Sequence, residues 1–470
     1  MKSLFLILSL LLVCIIAQSE IKLATVLGNN MVLQRNTEVK IWGKANPNQK
    51  LTIQTSWNKA HYITMCNDKG DWMIKAKTTQ AGGAYTITVT SGKEKVQLQN
   101  ILLGEVWLCS GQSNMDMTID GYADSPIIGS NDMLMNAENN DIRLFTLKPI
   151  VNEVPQDNCT GNWSVATAES VAKFSAVGYL YAKHLQQKLK VPVGVICAAW
   201  GGSRIESWIS KDIISTFPEA FKQTTQEKSN PNHRAANIYN GMISPLLNTA
   251  IKGAIWYQGE SNIGNYKDYA FLQTAMVSGW RRDFGVGEFP FYFVEIAPYW
   301  YNNSKAVNSV LQRNQQFKAM SLIPNSGMVS TIDLGEERNI HPAEKETVAK
   351  RLAYWALSET YNIKGISYKS PIFKSMDVKD SVAILSFDNI VNGLTTFGKE
   401  VDCFEVAGQD SIFYQAKMSI KKKQVLVWST NVKIPVEVRY AFCNFPKTNG
   451  FVYNTAGLPL ISFKTDNWEK

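Results

Sequence analysis

The chain has 470 residues, which at roughly 150 per domain suggests about three domains. Hydrophobic residues make up 45% and charged residues 19%, so the chain can bury sizeable cores; a disordered chain, collagen, a coiled coil and a small disulfide scaffold are excluded. Lys plus Arg exceed Asp plus Glu by 48 to 40, but the excess is spread thinly, and its longest run, Lys421-Lys422-Lys423, reads as a solvated turn, so no nucleic-acid partner is expected.

The first nineteen residues carry one charge, Lys2, followed by an apolar run from Leu4 to Ala17. That run is too short to span a bilayer and fits the core of a signal peptide. Ala17 and Ser19 put small residues at the two positions a signal peptidase reads, so cleavage before Glu20 is expected. The alternative, a lipoprotein site at Cys14, lacks small residues leading up to it. No later stretch reaches eighteen apolar residues, so the expected product is an exported, periplasmic or secreted chain with no membrane span. Cys66, Cys109, Cys159, Cys197, Cys403 and Cys443 are widely spaced without a C-x-x-C, which disfavours zinc. Cys109 and Cys197 end apolar runs and read as buried thiols; Cys403 and Cys443 are left open as a pair.

Three textures follow. Residues 20–100 alternate in the manner of short strands, as in Glu38-Val-Lys-Ile-Trp and Tyr85-Thr-Ile-Thr-Val-Thr, which predicts a β-sandwich-like domain. Residues 101–363 alternate strand and helix. Strands are expected at Glu105–Cys109, Val193–Ala199, Gly253–Tyr257, Phe291–Ile296 and Met328–Ile332. Helices are expected at Phe174–Leu189, Ile238–Ala250 with a break or bend at Pro245, Tyr266–Phe284, Ser309–Ser321, and from Pro342 to about Tyr361. This rhythm predicts an α/β fold with a mainly parallel sheet covered on both faces. Residues 364–470 return to strand alternation and form a second β-rich domain.

In an open α/β sheet, ligands bind beyond the carboxyl ends of the strands. Four strand ends carry small and polar residues that a core does not require: Ser110-Gly111-Gln112-Ser113-Asn114, Trp200-Gly201-Gly202-Ser203, Gln258-Gly259-Glu260-Ser261-Asn262, and Asp333 leading to His341-Pro342. A serine hydroxyl becomes a nucleophile when a base takes its proton, and histidine is the usual base near neutral pH. A tetrahedral oxyanion needs fixed donors, which the backbone N–H groups of Ser113 and of Gly201 or Gly202, with the amide of Asn262, can supply. Of four histidines, only His341 follows an α/β strand end. The pattern around Ser113 is G-x-S-N, with Met115 where the G-x-S-x-G elbow has its second glycine.

Gly104-Glu-Val-Trp-Leu-Cys-Ser-Gly-Gln-Ser113-Asn-Met, Trp200-Gly-Gly-Ser-Arg-Ile-Glu-Ser-Trp208, Tyr239-Asn-Gly-Met242, Trp256-Tyr-Gln-Gly-Glu-Ser-Asn262 and Ile340-His-Pro-Ala-Glu-Lys345 together resemble the sialate O-acetylesterase family of SGNH hydrolases. Asn30-Met-Val-Leu-Gln34 and Val438-Arg-Tyr440 extend the resemblance over nearly the whole chain after residue 19. The resemblance implies an SGNH-type (flavodoxin-like) three-layer fold and hydrolysis of O-acetyl esters on sialic acid without a metal or other cofactor. It maps the nucleophile to Ser113 and the base to His341. Many SGNH enzymes place Asp three residues before the histidine; here that residue is Arg338. Asp333 is therefore the expected orienter of His341, with Glu260 or a two-residue dyad as alternatives. Gln258 and Glu260 are assigned to substrate binding, Glu260 alternatively to bracing its loop. Arg204, two residues past Gly202, is expected to grip the carboxylate of sialic acid, against an ion pair with Glu206 or another acid. Trp200, Trp208 and Trp256 read as core before sugar platforms. Two rivals stand: an acetylesterase acting on another acetylated glycan such as xylan, and a carbohydrate-binding protein with a dead site.

Overall fold

The computed structural model describes residues 20–220 and 229–468; the expected signal peptide lies outside the described residues. Strands Lys22–Leu23, Glu38–Lys44 and Asp71–Lys77 form one small antiparallel sheet. Facing residues follow from period two: Val39 and Ile41 are buried, whereas Lys40 between them is not. A second layer, Lys50–Thr55, Ala60–Met65 and Gly82–Ser91, pairs with the long strand Glu94–Gly111.

That long strand crosses the boundary expected at residue 100. Its first part, residues 94–100, alternates half-buried and exposed positions, and from Ile101 onward every residue is buried. The change marks its passage from a sheet with one wet face into one covered on both. Residues Glu105–Gly111 pair in parallel with Val193–Ala199 on one side, and Trp107–Gly111 with Gly253–Tyr257 on the other. The central sheet runs Gly161–Ala166, Asn139–Leu147, Val193–Ala199, Glu94–Gly111, Gly253–Tyr257, Phe291–Val294, Ser326–Val329, parallel except for its first edge strand. Alternate residues of Val193–Ala199 enter separate cores: Val193, Val195 and Cys197 pack with the helix Ala176–Leu189, Ile196 and Ala198 with a core shared by Tyr269–Phe284.

Two expected elements differ. The last helix of this region starts at Lys345, not Pro342, because Glu344 caps it by accepting from the Thr347 N–H. The segment expected as a helix over Ile238–Ala250 is a π turn, Tyr239–Ile243, followed by a 3-10 turn, Ser244–Leu246, that contains Pro245. The C-terminal region forms two four-stranded antiparallel sheets around Leu385, Val406, Val425, Val438 and Tyr440, and Ile332 from the end of the central sheet joins that core. Cys403 and Cys443 are both free thiols.

Candidate active site

The carboxyl end of Glu94–Gly111 sits between strands reached by crossovers in opposite directions, the place where an open sheet forms a crevice. Gly111 has φ +144, and a Cβ there would fall 2.1 Å from the Tyr257 carbonyl oxygen, so glycine is required for the turn. Gln112 donates its N–H to that same carbonyl at 2.9 Å. Ser113 then opens a single helical turn ending at Asp116.

Ser113 Oγ lies 2.9 Å from His341 Nε2. Among the described residues no side chain hydrogen-bonds His341 Nδ1. The ring is positioned instead by Tyr122, edge-on at 5.1 Å, and by its backbone. Asn339 Oδ1 accepts the His341 N–H at 2.9 Å and the Ser125 hydroxyl at 2.9 Å. Glu336 closes the loop by accepting from the Ala343 N–H at 2.7 Å and from Asn339 Nδ2 at 3.1 Å. Burial first, and the Lys345 charge second, hold the imidazole below its ordinary pKa. Tyr122 donates to the Ser113 carbonyl at 3.1 Å and to Asp116 at 3.4 Å; burial pushes the Asp116 carboxyl up to about 6.

The Gly201–Gly202 loop closes on the serine. A Cβ on Gly201 would lie 3.5 Å from Ser113 Cβ, and Gly202 has φ +69. Asn232 Nδ2 donates to the Gly201 carbonyl at 3.0 Å, and His233 Nε2 meets the Gly202 carbonyl at 2.8 Å. The carbonyls are thus held, while neither N–H meets an acceptor among the described residues.

Asp333 is corrected: both its oxygens take a hydrogen bond from Arg351 at 2.8 Å, because the helix Lys345–Trp355 brings Arg351 to this strand end, and it does not hydrogen-bond His341. Gln258 is corrected as well. It is fully buried, and its amide is used by the Ser203 carbonyl, Asn262 and Tyr269, leaving nothing for a substrate. Glu260 does not meet His341 or an open pocket; its Oε1 accepts from Asn114 Nδ2 at 2.6 Å beneath the serine turn, and burial raises its pKa. Asn262 accepts from the Ile205 N–H and Gln258 and gives one amide hydrogen to Glu206 at 3.0 Å, with the other meeting no acceptor among the described residues. Glu206 is therefore bonded to Asn262 and not ion-paired with Arg204. The guanidinium of half-buried Arg204 makes no hydrogen bond or ion pair among the described residues, and its Nε is buried without a partner. Trp208 and Trp256 are core residues in edge contact at 5.6 Å, and Trp200 is half-buried.

Asn114 and Lys345 stood inside the quoted motifs, and Asn339 two residues before the histidine. Tyr122 and Glu336 had no pattern to mark them.

The fold and this serine–histidine pair define the class, a carbohydrate esterase. Residues 103–357 match the family described as carbohydrate esterase, sialic acid-specific acetylesterase, and the chain belongs to it. It is 27% identical to the sialate O-acetylesterase of Mus musculus, covering 90% of each chain. It is 29% identical to that of Homo sapiens over 76% of this chain and 74% of the other. Among solved structures, a carbohydrate acetylesterase from Xanthomonas citri aligns with a TM-score of 0.87 and 30% identity, over 95% of this chain and all of that one.

Proposed function

We propose that the protein is an exported serine esterase that removes O-acetyl groups from sialic acids through an acetyl-Ser113 intermediate, on an SGNH-type three-layer catalytic domain. The 2.9 Å contact between Ser113 Oγ and His341 Nε2 carries the proposal. His341 Nε2 accepts the hydroxyl proton as Oγ attacks the acetyl carbonyl. The N–H groups of Ser113, Gly201 and Gly202 and the remaining amide hydrogen of Asn262 are the donors for the oxyanion. Collapse expels the sugar oxygen, which takes the proton from His341. Water then attacks the acetyl-serine with His341 again as base, releasing acetate. A depressed imidazole pKa suits this role, since the neutral ring is the base.

The similarity to a carbohydrate acetylesterase favours a second reading, deacetylation of a neutral glycan. Arg204 separates the two, because only sialic acid brings a carboxylate. An arginine hydrogen-bonded to that carboxylate contributes about 1.5–3 kcal/mol. Arg204→Ala is expected to lower kcat/KM for O-acetylated sialic acid by roughly 10- to 150-fold and to change turnover of a neutral acetyl ester little. Acetate release from O-acetylated sialic acid and from acetylated xylan, measured side by side with the full chain, tests the reading. Release from xylan alone would replace it with the second, and no release from any acetyl ester would leave a binding protein.

A further inference from the structure

Lys345 is placed where two effects oppose a charge. It is 1% exposed, and it begins a helix, where the macrodipole repels a cation. Its Nζ donates to Asn114 Oδ1 at 2.7 Å. The amide nitrogen of Asn114 gives one hydrogen to Glu260 Oε1 at 2.6 Å and the other to the Ile340 carbonyl at 3.1 Å. Asn114 directly follows Ser113, and Ile340 directly precedes His341. One buried amide therefore ties the nucleophile's turn to the base's loop. The cation at its oxygen and the carboxylate at its nitrogen fix which way that amide faces, since the flipped amide would set NH2 against ammonium and oxygen against carboxylate.

We propose that Lys345 and Glu260 are positioning residues: together with Asn114 they form a buried clamp that holds Ser113 and His341 in register for the hydrolytic step. The proposal rests on the hydrolase reading above. The charged and titratable groups that face the clamp are Glu336 toward Lys345, Tyr257 with its ring 5.9 Å from Nζ, Tyr301 toward Glu260, and Tyr122 with Asp116 beside His341. Burial pulls the lysine down to about 7, so it is charged in the acid range where the imidazole titrates.

Kinetics on a chromogenic acetyl ester test it, with each rate normalised to active sites titrated by a fluorophosphonate. Glu260→Leu and Lys345→Met are expected to lower kcat about 100-fold with KM within about threefold, the scale of misplacing a catalytic pair by an ångström. Glu260→Gln keeps an oxygen for Asn114 and should recover to within about tenfold of wild type. Lys345→Met should also move the acid limb of kcat/KM to higher pH, because His341 loses a neighbouring positive charge and binds its proton more readily. Should Lys345→Met not fold, Lys345→Arg carries the test: the acid limb stays and kcat falls. Normalised kcat within threefold of wild type in the folded variants, or an acid limb unmoved in Lys345→Met, overturns the clamp. An inactive wild-type enzyme would overturn the esterase reading instead.

Discussion

The loop Gln258–Asn262 and the loop Asp333–Ala343 both leave the carboxyl edge of one sheet, and both carry Asn, Glu or Asp, yet they are built oppositely. In the first, the amides are buried and spend their hydrogen bonds on one another and on neighbouring loops. In the second, the backbone is half-exposed and held by a few side chains, Glu336 and Asn339 above all. The difference shows that polarity at a strand end does not by itself mark a group that reacts. What distinguishes His341 from Gln258 is that its ring nitrogen meets the serine hydroxyl, whereas the Gln258 amide is used up by neighbouring loops. Satisfied amides rigidify the floor on which the serine–histidine pair stands.

The largest effect expected from this contrast falls on the serine–histidine pair. Ser113→Ala and His341→Ala should each cut kcat by several orders of magnitude, and the double variant should be little worse, because the two act as a unit. Steady-state rates of the three purified variants check this; additive losses would break the pairing. In the wild type, protonation removes the base, so kcat/KM should fall with falling pH, through a pKa below the ordinary histidine value of 6.5.

Next in size is the second loop's own brace. Glu336→Ala frees the Ala343 N–H and Asn339 Nδ2 together, and with them the loop that carries the imidazole. A fall in kcat of about 10- to 100-fold is expected, with the ester-independent melting transition little changed. The complementary variant is Gln258→Ala in the buried loop. It should act the other way round, through stability, since it removes three buried hydrogen bonds, to the Ser203 carbonyl, to Asn262 Oδ1 and from Tyr269. Equal balance of rate and stability losses in the two variants would erase the distinction between the loops.

Much of this was legible in the residues. Strand-end motifs carried Ser113, Gly201, Gly202 and His341, and the structure brings Ser113, Gly201 and His341 together. Period two gave the buried faces of the N-terminal strands. The strands Asn139–Leu147 and Gly161–Ala166 were missed, because Asn139, Asn140 and Asp141 open the first with poor strand formers and the second is a short edge strand. The start of the helix Lys345–Trp355 was misplaced because Pro342 matches a first-turn signal, whereas the cap that decides it is the Thr347 N–H donating to the Glu344 carboxylate. The orienting contacts of His341 were illegible for a different reason: Tyr122 lies more than two hundred positions away in sequence and belongs to no motif.

Asp333 offers the smallest rate effect and the sharpest separation. It is the aspartate nearest before the histidine, as a third catalytic member would be, but Arg351 holds both its oxygens at 2.8 Å. The two side chains are only 8% and 6% exposed, so solvent screens the pair little. Asp333→Asn leaves a buried guanidinium with one acceptor in place of a carboxylate, and a loss of about 3 kcal/mol of stability is expected. The rate should barely move: kcat within about threefold of wild type at temperatures where the variant is fully folded, under roughly 0.7 kcal/mol of barrier. Denaturant midpoints and initial rates on the same preparation read both quantities. A strong fall in kcat with an unchanged midpoint would mean that Asp333 reaches His341 during turnover, and the two loops would then be alike in lending a carboxylate to the pair that does the chemistry.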